Sequence, residues 1–394
     1  MNSLPSDLPA PDPAALALSE QLSEQLRQRI REQGSIGFDQ FMEAALYQPG
    51  LGYYSGGLAK FGPEGDFITA PELGKLFAEC LAARLAPVLN SLQQPTLLEL
   101  GGGSGCLMRD LLLALERRDA LPERYAMLER SASCRAMQTE TAGQLPERLR
   151  ERIVWLDSPP ESEFEGVILG NEVLDALPVQ RFAIANRGEI REIRVGLNRQ
   201  QGFEWLQQPA EAELAERVRA RFSDSQIPLN DGLEGELCSQ LAPWLASVSQ
   251  GLKRGLVLMI DYGYPRRALY SARHAEGTLV CHYRHRVHHD PLWQPGLQDI
   301  SAFVDFSAVA EAAADNGLDL AGYTSQAGFL LTACPSWLEK TFSQADQSQV
   351  WAMARELRRL TSPEEMGERF QVMALTRDLG LPTRDWIPDL RASL

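Results

Sequence analysis

Five runs of apolar residues along the chain each end in a polar residue, and they give the first indication of the fold. The polar residues that close these runs are, in chain order, Glu99, Glu129, Asp157, Glu172 and Asp261. Continuous apolar runs of this length are typical of parallel strands that helices cover on both faces. Leucines at helical spacing within residues 106–115 follow the first run and predict such a helix. The pattern therefore predicts an α/β fold with a doubly wound, mostly parallel sheet.

Two further patterns predict helices in the N-terminal region. Apolar residues recur every four positions from Leu18 to Ile30, which indicates an amphipathic helix that ends near Gly34. Thr69 and Glu72 have the spacing of a capping box, so a helix is predicted to begin there and to run to about Leu89.

The remaining patterns complete the sheet and add an insertion. Residues 181–197 alternate around Asn186-Arg187-Gly188 and predict a hairpin, which opens an insertion whose middle is helical and charged. A strand is predicted at 318–324 and a helical stretch at 335–360. A final alternating segment, 370–376, predicts a reversed edge pair and brings the sheet to seven strands.

The first strand leads into a glycine turn that carries most of the chemical information. Glu99 precedes Gly101, Gly103 and Gly105, which form G-x-G-x-G between a strand and a helix. Such a turn brings backbone N–H groups and the positive end of a helix close to a ligand. A dinucleotide fingerprint would need glycine at Cys106, so the pattern instead resembles the first motif of class I S-adenosylmethionine methyltransferases. The alternative is a tight turn of an α/β domain with no ligand.

Acidic residues close four consecutive strands, and we interpret them as one site. Glu99, Glu129, Asp157 and Glu172 fall where the carboxyl ends of parallel strands meet, the edge at which such sheets bind ligands. A carboxylate at Glu129 is suited to accept both hydroxyls of a ribose. After Glu172 the polar loop of residues 171–178 continues the same edge.

Composition narrows the functional class. A net charge of -15 disfavours a general nucleic-acid-binding surface and suits a cationic partner. No C-x-x-C pair occurs among the six cysteines, which indicates reduced thiols of a cytoplasmic protein. No apolar stretch reaches the roughly 18 residues of a membrane span. The N-terminus lacks a signal-peptide pattern, and its first ten residues contain no Lys or Arg, which also disfavours a mitochondrial presequence.

The five histidines cluster within residues 274–289, which raises the question of a metal site. Zinc sites of Cys and His usually take ligands from two separated pairs, and Arg284 and Arg286 within this cluster would repel a cation. We therefore expect no metal here.

Several long segments, in the same order, resemble the MidA-like methyltransferases. The matching segments are spread over roughly residues 35–380. In chain order they read GDFITAPELGKLF, LLELGGGSG, LGNEVLDALPV, LMIDYGYP, a GTL…H-R-x-H segment, PGLQDISAFVDFS and GERFQVMAL. His282 and His289 depart from the residues expected in that loop. The resemblance implies a Rossmann-like methyltransferase sheet, S-adenosyl-L-methionine as cofactor, and arginine of a protein as acceptor. Mitochondrial members methylate a subunit of respiratory complex I, so a respiratory complex subunit is an expected partner, and a homodimer is an expected assembly.

The resemblance also implies a division of the chain. We expect a disordered tail at 1–14, a helical region at 15–90 that covers the cofactor, a methyltransferase core at 91–178 and 251–394, and an inserted cap at 179–250.

Candidate residues fall into three groups. For cofactor binding they are Asp66, Thr69, Glu99, Gly101, Gly103, Gly105, Glu129, Asp157 and Gly170. For catalysis they are Asn171, Glu172 and Asp175, because carboxylates are the natural partners of a guanidinium. For substrate binding they are Asp261, His285, His288 and Asp299, with Asp305 beside them.

Each group has a structural alternative. Thr69, Asn171 and Asp175 are also suited to cap a helix or turn. Asp261 is also suited to begin a tight turn with Gly263, and Asp305 to begin a helix. Two other functions stay open: methylation of a small molecule or another side chain, and a scaffold that binds the cofactor and holds a partner without turnover.

Overall fold

The computed structural model describes residues 8–56, 69–333, 335–380 and 389–394. These residues form two compact units. The first unit draws on Met1–Phe67, Asp175–Leu241 and Pro265–Asp305, and the second on Ile68–Leu174, Ala242–Tyr264 and Phe306–Leu394. The units group the chain differently from the predicted domain ranges, because residues 265–305 join the insertion and the N-terminal region.

The helices and strands are numbered in chain order. The helices are α1 (Pro13–Gln33), α2 (Phe38–Tyr47), α3 (Ala70–Leu73), α4 (Leu76–Asn90), α5 (Cys106–Glu116), α6 (Ala132–Ala142), α7 (Glu147–Arg150), α8 (Ala212–Asp224), α9 (Leu241–Ser249), α10 (Arg266–Leu269), α11 (Phe306–Asp315), α12 (Gln326–Ala333), α13 (Pro335–Gln344) and α14 (Gln347–Thr361). The strands are β1 (Ile36–Gly37), β2 (Thr96–Leu100), β3 (Arg124–Leu128), β4 (Ile153–Leu156), β5 (Phe164–Asn171), β6 (Gln180–Ala185), β7 (Glu189–Leu197), β8 (Phe203–Pro209), β9 (Glu234–Leu237), β10 (Leu252–Tyr264), β11 (Val280–Tyr283), β12 (Arg286–His288), β13 (Asp299–Ser301), β14 (Val304–Asp305), β15 (Asp319–Ser325) and β16 (Phe370–Arg377).

The sheet of the second unit has the predicted architecture. Seven of its strands follow the order β15-β16-β10-β5-β2-β3-β4. The five strands predicted from the apolar runs are parallel to one another. Only β16 runs against them, and it pairs antiparallel with both β10 and β15. The predicted doubly wound, mostly parallel sheet with a reversed edge pair is confirmed.

Burial explains why these runs form strands. The central residues of three strands are at most 1% exposed: 97–98 of β2, 167–169 of β5 and 256–260 of β10. Helix α5 buries Leu107, Leu111, Leu112 and Leu115 against the same core, as their helical spacing predicted. Burial on both faces leaves the strand ends as the positions where polar side chains meet the solvent edge of the sheet.

The first unit contains two antiparallel sheets. One has the order β1-β7-β6-β9, with β8 also paired to β7, and the other has the order β12-β11-β13. Strands β6 and β7 form the predicted hairpin, in which Arg187 and Gly188 have left-handed φ values of 64° and 73°. Helix α1 buries the predicted stripe through Leu22, Leu26 and Ile30, and it ends at Gly34.

Three boundaries differ from the predicted ones. Helix α1 begins at Pro13, because the Asp12 carboxylate accepts from the Ala15 N–H at 2.8 Å, so the predicted tail is too long; residues 1–7 lie outside the described residues. The helix predicted from Thr69 to Leu89 is two helices, and the Thr69 side chain makes no capping hydrogen bond. Instead, the Glu356 carboxylate accepts from the Leu76 N–H at 2.7 Å and caps α4. The predicted helical stretch at 335–360 is likewise divided into α13 and α14.

Two expectations about the chain as a whole can be compared with the described residues. Cys80, Cys106, Cys134, Cys238 and Cys281 are not part of disulfide bonds, whereas Cys334 lies outside the described residues. Within the described ranges, no helix has the length and apolar character needed to cross a bilayer.

Candidate active site

The glycine turn between β2 and α5 requires glycine for conformational and steric reasons. Gly101, Gly103 and Gly105 have φ values of 63°, 52° and 80°, a region that side chains rarely adopt. A Cβ atom at Gly101 would lie 3.1 Å from Val173 Cγ1, and one at Gly105 would lie 3.1 Å from Gln138 Cα. The turn therefore places backbone, free of side chains, at the N-terminus of an eleven-residue helix, where anionic and polar ligands bind.

Glu99 lies at the end of β2, beneath this turn. Its side chain is buried, and the Tyr125 hydroxyl donates to Glu99 Oε2 at 2.8 Å. Burial raises the pKa of Glu99 to about 7; the bond from Tyr125 opposes this rise and the neighbouring Glu129 carboxylate adds to it. Because burial deprives the ionised carboxylate of hydration, a cationic group of a ligand would stabilise this ionised form by pairing with it.

The raised pKa of Glu99 predicts a pH-dependent stability. Between its ordinary pKa of 4.5 and about 7 the folded protein binds more protons at this group than the unfolded chain, so ionisation of Glu99 destabilises the fold as pH rises through this window. Glu99→Gln lacks that ionisation and should gain about 1–3 kcal/mol over the wild type between pH 5 and pH 8. Urea denaturation of both proteins at the two pH values measures this gain. A constant difference would show that Glu99 does not titrate there.

Glu129 follows β3 and is held by two donors. Its Oε1 accepts from the Ser131 N–H at 2.8 Å and its Oε2 from the Gln138 amide at 3.0 Å, and the residue is 8% exposed. Burial raises the pKa of Glu129, whereas these two hydrogen bonds lower it. The carboxylate thus has a fixed orientation at the edge of the sheet, next to Glu99.

Asp157 is placed differently from the other strand-end acids. Its side chain is 92% exposed and pairs with Arg135 Nη2 at 2.8 Å. Arg135 also donates to the main-chain carbonyls of Glu129 at 2.7 Å and Leu156 at 2.6 Å, so it ties the carboxyl ends of β3 and β4 together. The cofactor contact expected of Asp157 stays a prediction.

The loop that follows β5 is held in a strained conformation. Glu172 has a left-handed φ of 54°, and its N–H donates to the Ile260 carbonyl at 2.9 Å. Asn171 Nδ2 donates to Glu172 Oε1 at 3.2 Å, while Asn171 Oδ1 is buried without a hydrogen-bond partner. Before them, a Cβ atom at Gly170 would lie 2.7 Å from Met259 Sδ and 2.9 Å from Val173 Cγ2, so a side chain there would require these neighbours to shift. A strained residue beside an unpaired buried acceptor is typical of a binding site.

Asp261 explains how this loop keeps its conformation. Its carboxylate is fully buried and accepts from the backbone N–H groups of Val173 at 3.0 Å and Leu174 at 2.7 Å. It also accepts from the N–H of Tyr262 at 2.8 Å. Between the two predicted roles of Asp261, substrate contact and turn formation, the structure gives it a third: it fixes the backbone of the loop after β5.

The remaining candidates belong to the first unit. Asp299 is buried and accepts from the Tyr54 hydroxyl at 2.9 Å; burial raises its pKa, and His282 lowers it. His288 is buried against the Trp293 ring, and burial lowers its pKa to about 4, with smaller effects of His289 and His282. His285 instead lies exposed in the turn between β11 and β12, with a φ of 60°. Asp175 is 5% exposed, and its carbonyl accepts from the Ala302 N–H.

Asp305 forms two ion pairs, and the place expected for it beside the substrate-binding residues stays a prediction. Its Oδ2 pairs with Arg266 Nε at 2.9 Å and with Arg221 Nη1 at 3.1 Å. Arg266 is only 2% exposed, so this carboxylate compensates a buried charge.

Asp66 and Thr69, the two N-terminal candidates for cofactor binding, lie on either side of the boundary of the described residues. Asp66 lies outside them, and Thr69 is half-buried directly before α3. Among the residues that the structure describes, His, Cys, Asp and Glu side chains form no group of three or more that could hold a metal ion.

Comparison with known proteins agrees with this geometry. Residues 80–324 match a family described as "Putative S-adenosyl-L-methionine-dependent methyltransferase". The fold matches a crystal structure from Burkholderia thailandensis bound to S-adenosyl-homocysteine, at 42% identity and a TM-score of 0.87 over 94% of this chain and 96% of that chain. The zebrafish protein arginine methyltransferase NDUFAF7 is 26% identical over 89% of this chain and 86% of its own length. The human protein of that name is 26% identical over 87% and 80%.

The residues present fit the cofactor of this family. The glycine turn has left-handed backbone at the N-terminus of α5, Glu99 is a buried acid suited to a cationic group, and Glu129 offers an oriented carboxylate. The family model covers more than half of the chain, and the Burkholderia structure covers nearly all of it. The chain therefore belongs to this family of S-adenosyl-L-methionine-dependent methyltransferases.

Proposed function

We propose that this methyltransferase modifies arginine side chains of a protein partner. The observation that carries the proposal is the strained loop after β5, in which Glu172 has a φ of 54° and Asn171 Oδ1 is buried without a partner. A left-handed non-glycine residue costs about 1–3 kcal/mol, and such strain persists where the surrounding structure enforces it. Here the Asp261 carboxylate enforces it through the N–H groups of Val173 and Leu174.

The chemistry of the loop suits a guanidinium. This group is planar and cationic, and it presents several N–H donors but no acceptor. The Glu172 carboxylate supplies charge and acceptors, Asn171 Oδ1 supplies a further acceptor, and Asp175 follows three residues later in the chain. The cofactor supplies an electrophilic methyl group on a sulfonium. The residues of the chain therefore contribute position and charge rather than proton transfer.

The relatives support the same acceptor. The zebrafish and human proteins that resemble this chain are both named protein arginine methyltransferases, at 26% identity. A respiratory complex subunit as partner and a homodimer belong to this proposal as predictions from the family resemblance, and a cytoplasmic location belongs to it as a prediction from the cysteine pattern and the N-terminal sequence.

Cofactor binding should depend on the glycine turn. S-adenosylhomocysteine should raise the melting temperature of the wild type, whereas NAD should not, because the turn has no third dinucleotide glycine. Gly103→Val should abolish the shift, because valine at a φ of 52° is strained and its branched side chain enters the space over the turn. Thermal unfolding with each ligand measures both effects. Stabilisation by NAD alone would refute this assignment of the turn.

The acceptor can be tested directly. Purified wild type and methyl-labelled cofactor, added to an extract of cells that lack the gene, should label proteins, and mass spectrometry should place the label on arginine. Label on another side chain or on small molecules alone would refute the arginine proposal. Absence of any label from protein that binds the cofactor would favour a scaffold function.

A further inference from the structure

One glutamine of α6 contacts three separate parts of the cofactor site. Gln138 is fully buried, and its Nε2 donates to the Gly103 carbonyl at 3.1 Å and to Glu129 Oε2 at 3.0 Å. Its Oε1 accepts from Trp155 Nε1 at 3.0 Å. These bonds join the glycine turn after β2, the carboxylate after β3 and the indole on β4.

The amide of Gln138 can satisfy these partners in one orientation only. An indole N–H donates and cannot accept, so the amide oxygen must face Trp155. The Gly103 carbonyl and the ionised Glu129 carboxylate only accept, so the amide NH₂ must face them. Trp155 therefore fixes the amide, and the amide fixes the carboxylate relative to the turn.

We propose that Gln138 is a positioning residue that orients the Glu129 carboxylate, relative to the glycine turn, for the ribose hydroxyls of the cofactor. Ser131 holds one oxygen of Glu129 and Gln138 holds the other. With both donors present, the remaining lone pairs of the carboxylate have defined directions toward a ligand. Without Gln138, Glu129 Oε2 loses its donor and the carboxylate is free to rotate. Binding of the ribose hydroxyls must then also restrict this rotation, which weakens binding.

A double-mutant cycle with Glu129 tests this role. Gln138→Met keeps the volume of the side chain and removes its hydrogen bonds, and it should raise the Kd of S-adenosylhomocysteine about tenfold to a hundredfold, the range for hydrogen bonds to charged groups. In the Glu129→Ala background the same substitution should change Kd less than about threefold, because the residue it positions is gone. Isothermal titration calorimetry of the full chain gives all four constants. A full effect in the Glu129→Ala background, or none in the wild type, would overturn the proposal.

Thr141→Val is the matched control on the same helix. The Thr141 hydroxyl donates to the Ser104 carbonyl at 2.8 Å, so this variant loses a bond to the turn but leaves Glu129 untouched. Its Kd should stay within about threefold of the wild type. A loss equal to that of Gln138→Met would show that general packing of α6 on the turn, and not Glu129, explains the effect.

A second variant covers failure of Gln138→Met to fold, which thermal unfolding without ligand would reveal. Trp155→Phe leaves both donors of Gln138 but removes the group that fixes its amide. It should raise the Kd about threefold or more, and that increase should disappear in the Glu129→Ala background. A Kd equal to that of the wild type, or an increase that persists without Glu129, would overturn the proposal.

Discussion

Glu172→Gln should raise the activation free energy of methyl transfer to protein by about 2–4 kcal/mol, while the Kd of the cofactor stays within a few-fold of the wild-type value. Glutamine keeps the shape of the side chain and one acceptor oxygen, but it removes the charge that pairs with a guanidinium. The backbone strain at this position should persist, because the Asp261 carboxylate and the Ile260 carbonyl hold the loop through backbone groups. The variant therefore changes charge and little else.

Labelled methyl incorporation and ligand titration separate the two quantities. Glu163→Gln is a suitable control, because Glu163 lies just before β5, is 74% exposed and pairs only weakly with Lys253 at 3.2 Å. The control should label proteins at the wild-type rate. Labelling by Glu172→Gln at the wild-type rate would refute the role of the Glu172 carboxylate as partner of the guanidinium. A large loss of cofactor affinity would mean that Glu172 contributes to cofactor binding instead.

Asp305→Ala should destabilise the first unit by about 3–5 kcal/mol, the cost of breaking a buried ion pair by removal of one partner. Arg266 is 2% exposed, and its guanidinium would lose a carboxylate at 2.9 Å, as would Arg221 at 3.1 Å. Desolvation of an arginine cannot be relieved by proton loss, because the guanidinium stays protonated over the whole pH range in which proteins are folded. The cost therefore appears as lower stability.

Urea denaturation measures this loss, with Glu213→Ala as the matched control. Glu213 pairs with Arg217 on α8 at 3.5 Å, and its side chain is 84% exposed, so its loss should cost less than about 1 kcal/mol. A change below about 1 kcal/mol for Asp305→Ala would show that solvent or other groups compensate Arg266.

The sequence was sufficient to predict the sheet and the turn. Apolar runs identify buried strands because burial on both faces leaves no alternation, and glycine marks left-handed backbone at Gly101, Gly103 and Gly105. Both signals depend only on residues that are close together in the sequence, so they can be recognised without knowledge of the tertiary structure.

Roles that depend on contacts distant in the sequence could not be predicted. Gln138 lies within α6, but its partners Gly103 and Trp155 are 35 and 17 residues away. The capping box at Thr69 failed for a similar reason, since the next helix is capped at Leu76 by Glu356, which lies 280 residues after Leu76. Asp261 was recognised as important, yet its bonds to Val173 and Leu174 need the pairing of β10 with β5.

The position of β16 between β10 and β15 has a consequence for how the protein folds. The other six strands of this path precede it in the sequence, so during synthesis residues 255–262 of β10 lack their β16 partner and β15 has no neighbour on this path until residues 370–377 emerge. An unpaired apolar edge can pair with another chain. Aggregation of nascent or C-terminally truncated protein should therefore exceed that of the full chain, and chaperones that shield strand edges should matter most in this last stage of translation.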